Sequence, residues 1–385
     1  MVSDLAFHLA HRGHDIQVIT SQQLYEDARA SLPEHELIDG VQIHRIPTTR
    51  FGRSGLLGRA FDYVSFYALM WRYLSKLAKR GDIIVAKTDP PLLCIPAMSA
   101  ARQRGGLLVN WLQDVYPEVA IRLGVPLVKG RLGRALAQMR DASLRAAKAN
   151  VVVGELMAET LRQRGIPEDR IHVIPNWCDD EDIHPSATGG SSLRRKWGLG
   201  NYFVVGYSGN LGRVHEFDTV LAAGERLQDN SNILFLFIGG GKKFAELARH
   251  VRQRKLDHIF RFMPYQDRAV LKYSLAVPDV HLVSLRPELE GLIVPSKFYG
   301  VAAAGRPLIA LTSREGEIAK LVYQHRCGLV VTPGDSEALV TAIRHLSQND
   351  ESLVAMGHRA RRMLDTDFSR QHAFNRWSSL LESIA

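Results

Sequence analysis

Residues 288–307, ELEGLIVPSKFYGVAAAGRP, set Glu288 and Glu290 ahead of a glycine, a short apolar run, Pro-Ser-Lys and a small-residue tail. The apolar VPDVHLVSL just upstream reads as a buried strand, and Pro295 with Ser296 reads as a helix start. Gly305 and Pro307 would stop that helix after about three turns. A helix N-terminus favours anions, and Lys297 in the first turn adds a full positive charge. The combination suits a diphosphate, with Glu288 and Glu290 one loop away for the hydroxyls of a sugar. Gly291, Leu292, Ile293 and Ser296 complete the binding loop. The alternative is a capped surface helix carrying a solvated lysine.

Four further stretches follow apolar runs. GYSGNLGR (206–213) lets the backbone approach a ligand at Gly209 and Asn210, with Arg213 placed to pair with phosphate. FIGGGKK (237–243) ends a strand in glycines and opens a helix, exposing N–H groups of Gly239 and Gly240 to an anion beside Lys243. It has neither GxGxxG spacing nor GK[ST], so neither a dehydrogenase nor a P-loop ATPase is supported. FRFMPYQD offers Phe262 and Tyr265, either to stack a nucleobase or to fill a core. WLQDVYPE (111–118) puts Gln113, Asp114 and Glu118 at a strand end. There Asp114 holds an acceptor hydroxyl or acts as a base, or else it caps the next helix.

Metal sites are not expected. His8, His11 and His14 spread around a helix without a carboxylate partner, and CDDEDIH (178–184) reads as an acidic turn. Cys94, Cys178 and Cys327 lie far apart with no CxxC, against a disulfide framework or structural zinc, and point to a reducing compartment.

The elements that must position these loops alternate. VSDLAFHLAHRGHD is a helix stopped at Gly13, and IQVITS, VQIHRIPT, GDIIVAK, LLVNWL and ANVVVGE read as strands with helical stretches between them. After IHVIPNWCDDEDIHP the rhythm restarts with YFVVGYSGN, NILFLFIGGG, IFRFMPY, DVHLVSL, PLIALTS and GLVVTPG. This is the pattern of parallel sheets covered on both faces. It makes an α/β protein of two doubly wound domains joined near residues 165–190, with ligands at the carboxyl ends of the strands in the cleft between.

A length of 385 residues accommodates two or three domains, and 46% hydrophobic against 23% charged residues supplies sizeable cores. The formal charge of +9 favours an anionic partner. Without zinc-finger spacing, RNP-like strands or a basic arm, nucleic acid is not expected. No run spans a bilayer and no signal peptide opens the chain. RAFDYVSFYALMWRYLSKLAKR (59–80) carries aromatics almost all around with basic flanks. It reads either as an interfacial helix on an anionic membrane or as a helix buried on the sheet.

HLAHRGHDIQVIT, VIPNWCD, GYSGNLG, FIGGGKK and the Pro-Ser-Lys stretch with AAAGRPLIA resemble glycosyltransferase family 4 over nearly the whole chain. WLQDVYPE and GLIVPSKFY are similar to its bacterial branch that builds O-antigen and colanic-acid-type polysaccharides, including fucosyl- and N-acetylfucosaminyl-transferases. The resemblance implies a GT-B fold and a retaining hexosyltransferase that needs no metal or other cofactor. It implies a nucleotide-sugar donor (UDP or GDP) and a lipid-linked or glycan acceptor, with the protein peripheral at the cytoplasmic membrane face. Residues 1–170 would bind the acceptor, 171–370 the donor, and a helix at 371–385 would cross back. Catalysis would use Asp114, Glu290, Arg213 and Lys297.

Two departures are visible. Family members carry two glutamates eight positions apart. Here the second position is Gly300 and the first is Leu292, so Glu290 takes the first role only across two extra residues, with Glu288 the fallback. Members also open with a strand and glycine-rich loop before the helix that begins this chain, so the first domain is expected to lack its usual N-terminal strand. The rival readings are a GT-B nucleotide-sugar epimerase and a catalytically silent GT-B scaffold.

Overall fold

The computed structural model describes residues 1–22, 32–49, 51, 55–230 and 232–385. They form two compact units: Met1–Val153 with Ala158–Ile174 and Phe374–Ala385, and Gly154–Met157 with Pro175–Ala373.

In the first unit, α1 (Val2–His11) turns Leu5, Ala6 and Leu9 into the core and gives way to Gly13 at φ +88°. That left-handed position suits a residue without Cβ. Strands β1 (Ile16–Ser21), β2 (His35–Ile38) and β3 (Val41–Ile46) make a sheet of order β1-β3-β2. β1 runs parallel and β2 antiparallel to β3. A separate parallel sheet holds β4 (Ile83–Lys87), β5 (Leu107–Leu112), β6 (Ala149–Val152) and β7 (Ile171–Val173) in that order. Among the described residues no strand joins β1 to β4, so the unit carries two sheets rather than one.

The helices of this unit are α2 (Leu56–Leu77), α3 (Cys94–Arg104), α4 (Glu118–Arg122) and α5 (Gly130–Ala146), with α6 (Glu155–Arg162) crossing the division. The two readings of segment 59–80 divide the helix between them. Phe66 and Met70 are buried against Ile46, whereas Phe61, Val64 and Trp71 are 65%, 63% and 38% exposed on other faces. The side chain of Arg59 lies outside the described residues.

The second unit is a six-stranded parallel sheet of β8 (Phe203–Asn210), β9 (Ile233–Gly240), β10 (Phe260–Met263), β11 (Val280–Ser284), β12 (Leu308–Leu311) and β13 (Gly328–Val331). Its order is β10-β9-β8-β11-β12-β13. β11 and β12 are buried throughout and β9 over all but its last residue, as strands covered on both faces must be. Helices α7 (Ala187–Lys196), α8 (Asp218–Leu227), α9 (Lys242–Gln253) and α10 (Arg268–Ala276) link the strands up to β11. Next come α11 (Lys297–Ala303), α12 (Glu317–His325), α13 (Ser336–Ser347) and α14 (Asp350–Met363).

This strand order is the doubly wound one, which reverses direction between its first and fourth strands. Here that switch point lies between β8 and β11, which pair at Val205–Val280 and Gly206–His281. Loops leaving the carboxyl ends of those two strands diverge there and leave room for a ligand.

The chain ends in α15 (Arg370–Ile384), most of which belongs to the first unit. Fully buried Trp377 meets Trp111 of β5 edge-on at 4.8 Å between ring centroids, and Phe374 stacks on His8 of α1 at 4.3 Å. Aromatic pairs of this kind contribute about 0.5–1.5 kcal/mol each beyond the area they bury.

Candidate functional site

The switch point of the second unit is built on close backbone approach. Gly209 and Gly239 are register partners at the ends of β8 and β9, with φ +127° and +139°. A Cβ on Gly239 would stand 2.2 Å from the Gly209 carbonyl oxygen, and one on Gly209 would stand 2.6 Å from Cε of Lys297. Both positions therefore require glycine, one for the neighbouring strand and one for the lysine.

Lys297 lies across Gly209. Its Nζ is 5.5 Å from the centroid of the Tyr207 ring and 3.4 Å from Nε2 of His215. Burial draws its pKa down from 10.5 to about 8, and no carboxylate offsets that among the described residues. A shift of this size corresponds to roughly 3 kcal/mol held against the charged form. The fold spends that energy to keep a cation facing the switch point, and an anion placed there would release it.

His215 sits on the turn between β8 and α8 and is buried. Its Nδ1 donates to the Ser284 carbonyl at the end of β11, 2.8 Å away. Burial, then the charge of Lys297, lower its pKa to about 4, opposed by the carbonyls of Ser284 and Asn210. His215 thus stays a neutral imidazole. The sequence reading missed it, because a single histidine six residues beyond Gly209 has no motif around it; only the pairing of β8 with β11 brings it beside Lys297.

Tyr265 follows β10 and is 54% exposed. A Cβ on Gly240 would lie 2.9 Å from its ring, so the ring rests on bare backbone at the end of β9. Asn210 packs its Oδ1 against Gly241, 2.3 Å from where a Cβ would stand. Lys297, Gly209, Asn210, Gly239, Gly240 and Tyr265 thus form one continuous surface at the carboxyl ends of β8, β9 and β10.

Several expected residues are placed otherwise. α11 begins at Lys297 and ends at Ala303, so it is shorter than expected and Pro295 lies outside it. Exposed Ser296 precedes it and makes no capping bond. Lys243 pairs with Glu246 at 2.7 Å, and its N–H donates to the Leu211 carbonyl at 3.0 Å. The first turn of α9 is therefore already satisfied there. Phe262 belongs to the core, 5.6 Å from Phe237 and 5.3 Å from Phe244. Leu292 and Ile293 both donate their N–H groups to the Leu289 carbonyl, while Gly291 at φ +73° makes the turn. Glu288 pairs with Arg286 at 2.5 Å on the surface. Arg213 is exposed on the turn after β8.

Glu290 faces α12. It accepts the Thr312 hydroxyl and, at 3.3 Å, the Glu317 N–H. Gly316 leaves it room, since a Cβ there would be 2.3 Å from Glu290 Oε1. Burial raises the Glu290 pKa above the ordinary carboxyl value, with the two hydrogen bonds opposing. Its carboxyl is thus tied down by hydrogen bonds, as a structural or orienting group is.

In the first unit, Asp114 follows β5 beside a cavity of about 20 Å³, enough for one water. Thr88, Cys94, Asn110, Tyr116 and Arg140 also line it. Burial, then the Asp89 carboxylate, raise the Asp114 pKa from 3.8 to about 6, with Lys87 opposing. A carboxylate held near 6 can take a proton at neutral pH. Glu118 is committed elsewhere, accepting Arg140 through both oxygens at 2.8 and 3.0 Å and Arg164 at 2.7 Å. Among the described residues no group of three or more metal-binding side chains is assembled.

Residues 1–177 match the family model of the glycosyl transferase 4-like domain, and residues 191–363 that of the glycosyl transferases group 1. The chain belongs to the glycosyltransferases. Among relatives of this glycosyltransferase is the putative colanic acid biosynthesis glycosyl transferase WcaI of Escherichia coli K12, 27% identical over 87% of this chain and 85% of the relative. Among solved structures, sucrose-phosphate synthase from Thermosynechococcus elongatus superposes with a TM-score of 0.79 at 18% identity, covering 100% of this chain and 92% of that one. Anabaena HepE in complex with UDP-glucose gives 0.69 at 17% identity, over 89% and 86% of the two chains. These likenesses establish the GT-B fold, with two Rossmann-like domains.

Proposed function

We propose that this glycosyltransferase moves a sugar from a nucleotide-diphosphate sugar to a lipid-linked or glycan acceptor in building a bacterial cell-surface polysaccharide, with retention of anomeric configuration. The observation that carries the donor assignment is the buried ammonium of Lys297 laid over Gly209, with no carboxylate offsetting it among the described residues. The name of WcaI supports the polysaccharide, and the UDP-glucose complex of HepE supports the donor class.

On this reading Lys297 meets the charge that gathers on the departing diphosphate, the largest single contribution in such chemistry. Each well-aimed group of this kind supplies ~10²–10³ in rate. Lys297 fills the role for which a metal would otherwise serve, so the reaction uses none. Tyr265, exposed beside Gly240, meets the base. Asp114 in the first unit receives the proton of the acceptor hydroxyl. Retention needs the acceptor oxygen to arrive on the face the diphosphate leaves, and it needs no enzymic nucleophile. Glu290, bonded to Thr312 and α12, is left to orient sugar hydroxyls.

The acceptor side works at the cytoplasmic face of the membrane, peripherally. α2 exposes Phe61, Val64, Leu69 and Trp71 together with Arg72 and Lys76. A second stretch of the same unit exposes Ile121, Leu127 and Leu132 beside Arg122, Lys129, Arg131 and Arg134. Between residues 119 and 139 there is no acid. Apolar side chains among cations suit an anionic lipid surface, and no described helix is long and apolar enough to cross a membrane.

The test is turnover of UDP- and GDP-sugars with a lipid-diphosphate sugar acceptor, the anomer of the product read by NMR. Transfer with retained configuration is expected. An epimerised donor without transfer would favour the epimerase, and nucleotide binding without any turnover would favour a silent scaffold.

A further inference from the structure

We propose that His215 is a positioning residue, whose ring holds the Lys297 ammonium over Gly209 and aims it at the donor diphosphate. The inference rests on the role given to Lys297 above and extends it to the group that orients it.

Four observations converge on the ring. His215 is 9% exposed, and its Nδ1 donates to the Ser284 carbonyl at 2.8 Å. A neutral imidazole that donates through Nδ1 presents Nε2 as a lone-pair acceptor. That nitrogen stands 3.4 Å from Lys297 Nζ. The ring is fixed sideways by Tyr207 and Phe217, edge-on at 5.7 and 6.1 Å between centroids. A ring locked by two aromatics and a strand-end carbonyl has one orientation to offer.

Lys297 needs such a guide. Its four-carbon stem has many rotamers, and its strongly hydrated head prefers water to a buried site. Gly209 supplies the space and Tyr207 an aromatic face, yet neither fixes where Nζ points. Nε2 of His215 accepts one of the three ammonium protons and leaves the other two for phosphate oxygens. The low pKa of His215 keeps the ring uncharged, so it steadies the lysine without repelling it. Because Ser284 ends β11 and Lys297 lies beyond the loop that follows it, the histidine ties the lysine to the sheet at the switch point.

Three substitutions separate this role from a purely structural one. His215→Gln places an amide oxygen near the position of Nε2 and keeps the acceptor for Lys297. His215→Asn places an amide nitrogen near Nδ1 and keeps only the bond to Ser284. His215→Phe keeps the aromatic packing and neither bond. Calorimetry of the full chain with UDP and GDP should find the Phe and Asn variants about tenfold weaker, the size of one hydrogen bond to a charged group, and the Gln variant close to wild type. In a Lys297→Ala background, His215→Phe should cost nothing further.

The proposal is overturned if Asn restores affinity and Gln does not, or if the Phe loss persists without Lys297. Those results leave the donor assignment standing. Equal nucleotide affinity of wild type and Lys297→Ala would instead remove the donor assignment, and the proposal with it.

Discussion

Gly209 and Lys297 occupy one space: a Cβ on the glycine would stand 2.6 Å from Cε of the lysine. Glycine at the end of β8 is therefore a condition for where the ammonium lies, as well as for the backbone at φ +127°. Gly209→Ala should weaken UDP or GDP binding about tenfold although it removes no charge. Backbone strain should add about 1–3 kcal/mol of lost stability. Calorimetry and thermal melts read the two effects separately, and a melt shift without an affinity change would detach the glycine from the lysine's function.

The pH dependence follows from two displaced groups on opposite sides of neutrality. Asp114 must be a carboxylate to accept a proton, so kcat/KM should rise through its pKa of about 6. Lys297 must be an ammonium, so the same quantity should fall above about 8, giving a bell. In kcat the upper limb should move to higher pH, because bound diphosphate keeps Lys297 protonated.

Stability carries the matching signs. The native state holds a proton on Asp114 that the unfolded chain loses, so its contribution to stability falls as pH rises from 3.8 to about 6. Lys297 is depressed, so its cost is fully present below about 8 and is relieved between there and 10.5. Lys297→Met should therefore be more stable than wild type at pH 7 by about 1–3 kcal/mol. Denaturant melts at pH 7 and at pH 10.5 should show the gap shrinking at the higher pH.

The division of α2 sets a third expectation. Phe61→Ser with Trp71→Ser alters the exposed face and should weaken sedimentation with anionic vesicles while leaving the fold and nucleotide binding intact. Phe66→Ser with Met70→Ser strikes the buried face and should cost several kcal/mol of stability, as buried large-to-small changes do. Equal vesicle binding by wild type and the first variant would remove α2 from the membrane.

Much of this was legible in the sequence, for a physical reason. The β9 residues ILFLFIGG announce a buried parallel strand by being apolar without alternation. Gly209 and Gly239 mark tight backbone by being glycines at strand ends. Lys297 was legible because Pro-Ser-Lys after an apolar run is a strand-to-helix signal. What failed to show was partnership. Lys243 looked as free as Lys297, and only the fold reveals Glu246 beside one and His215 beside the other. Phe262 and Tyr265 look alike three residues apart, yet β10 turns one into the aromatic core and leaves the other on Gly240. Glu290 and Glu288 likewise differ only in what folds against them, Thr312 and α12 for one and Arg286 for the other.

The central claim is that the second unit binds a nucleotide diphosphate through Lys297, and calorimetry of wild type and Lys297→Ala with UDP and GDP tests it most directly. The account predicts that wild type binds one of the two and that the substitution weakens it by about 1.5–3 kcal/mol, the range for a hydrogen bond to a charged group. Equal affinities in the two proteins would contradict it, and would leave the buried ammonium over Gly209 without a ligand.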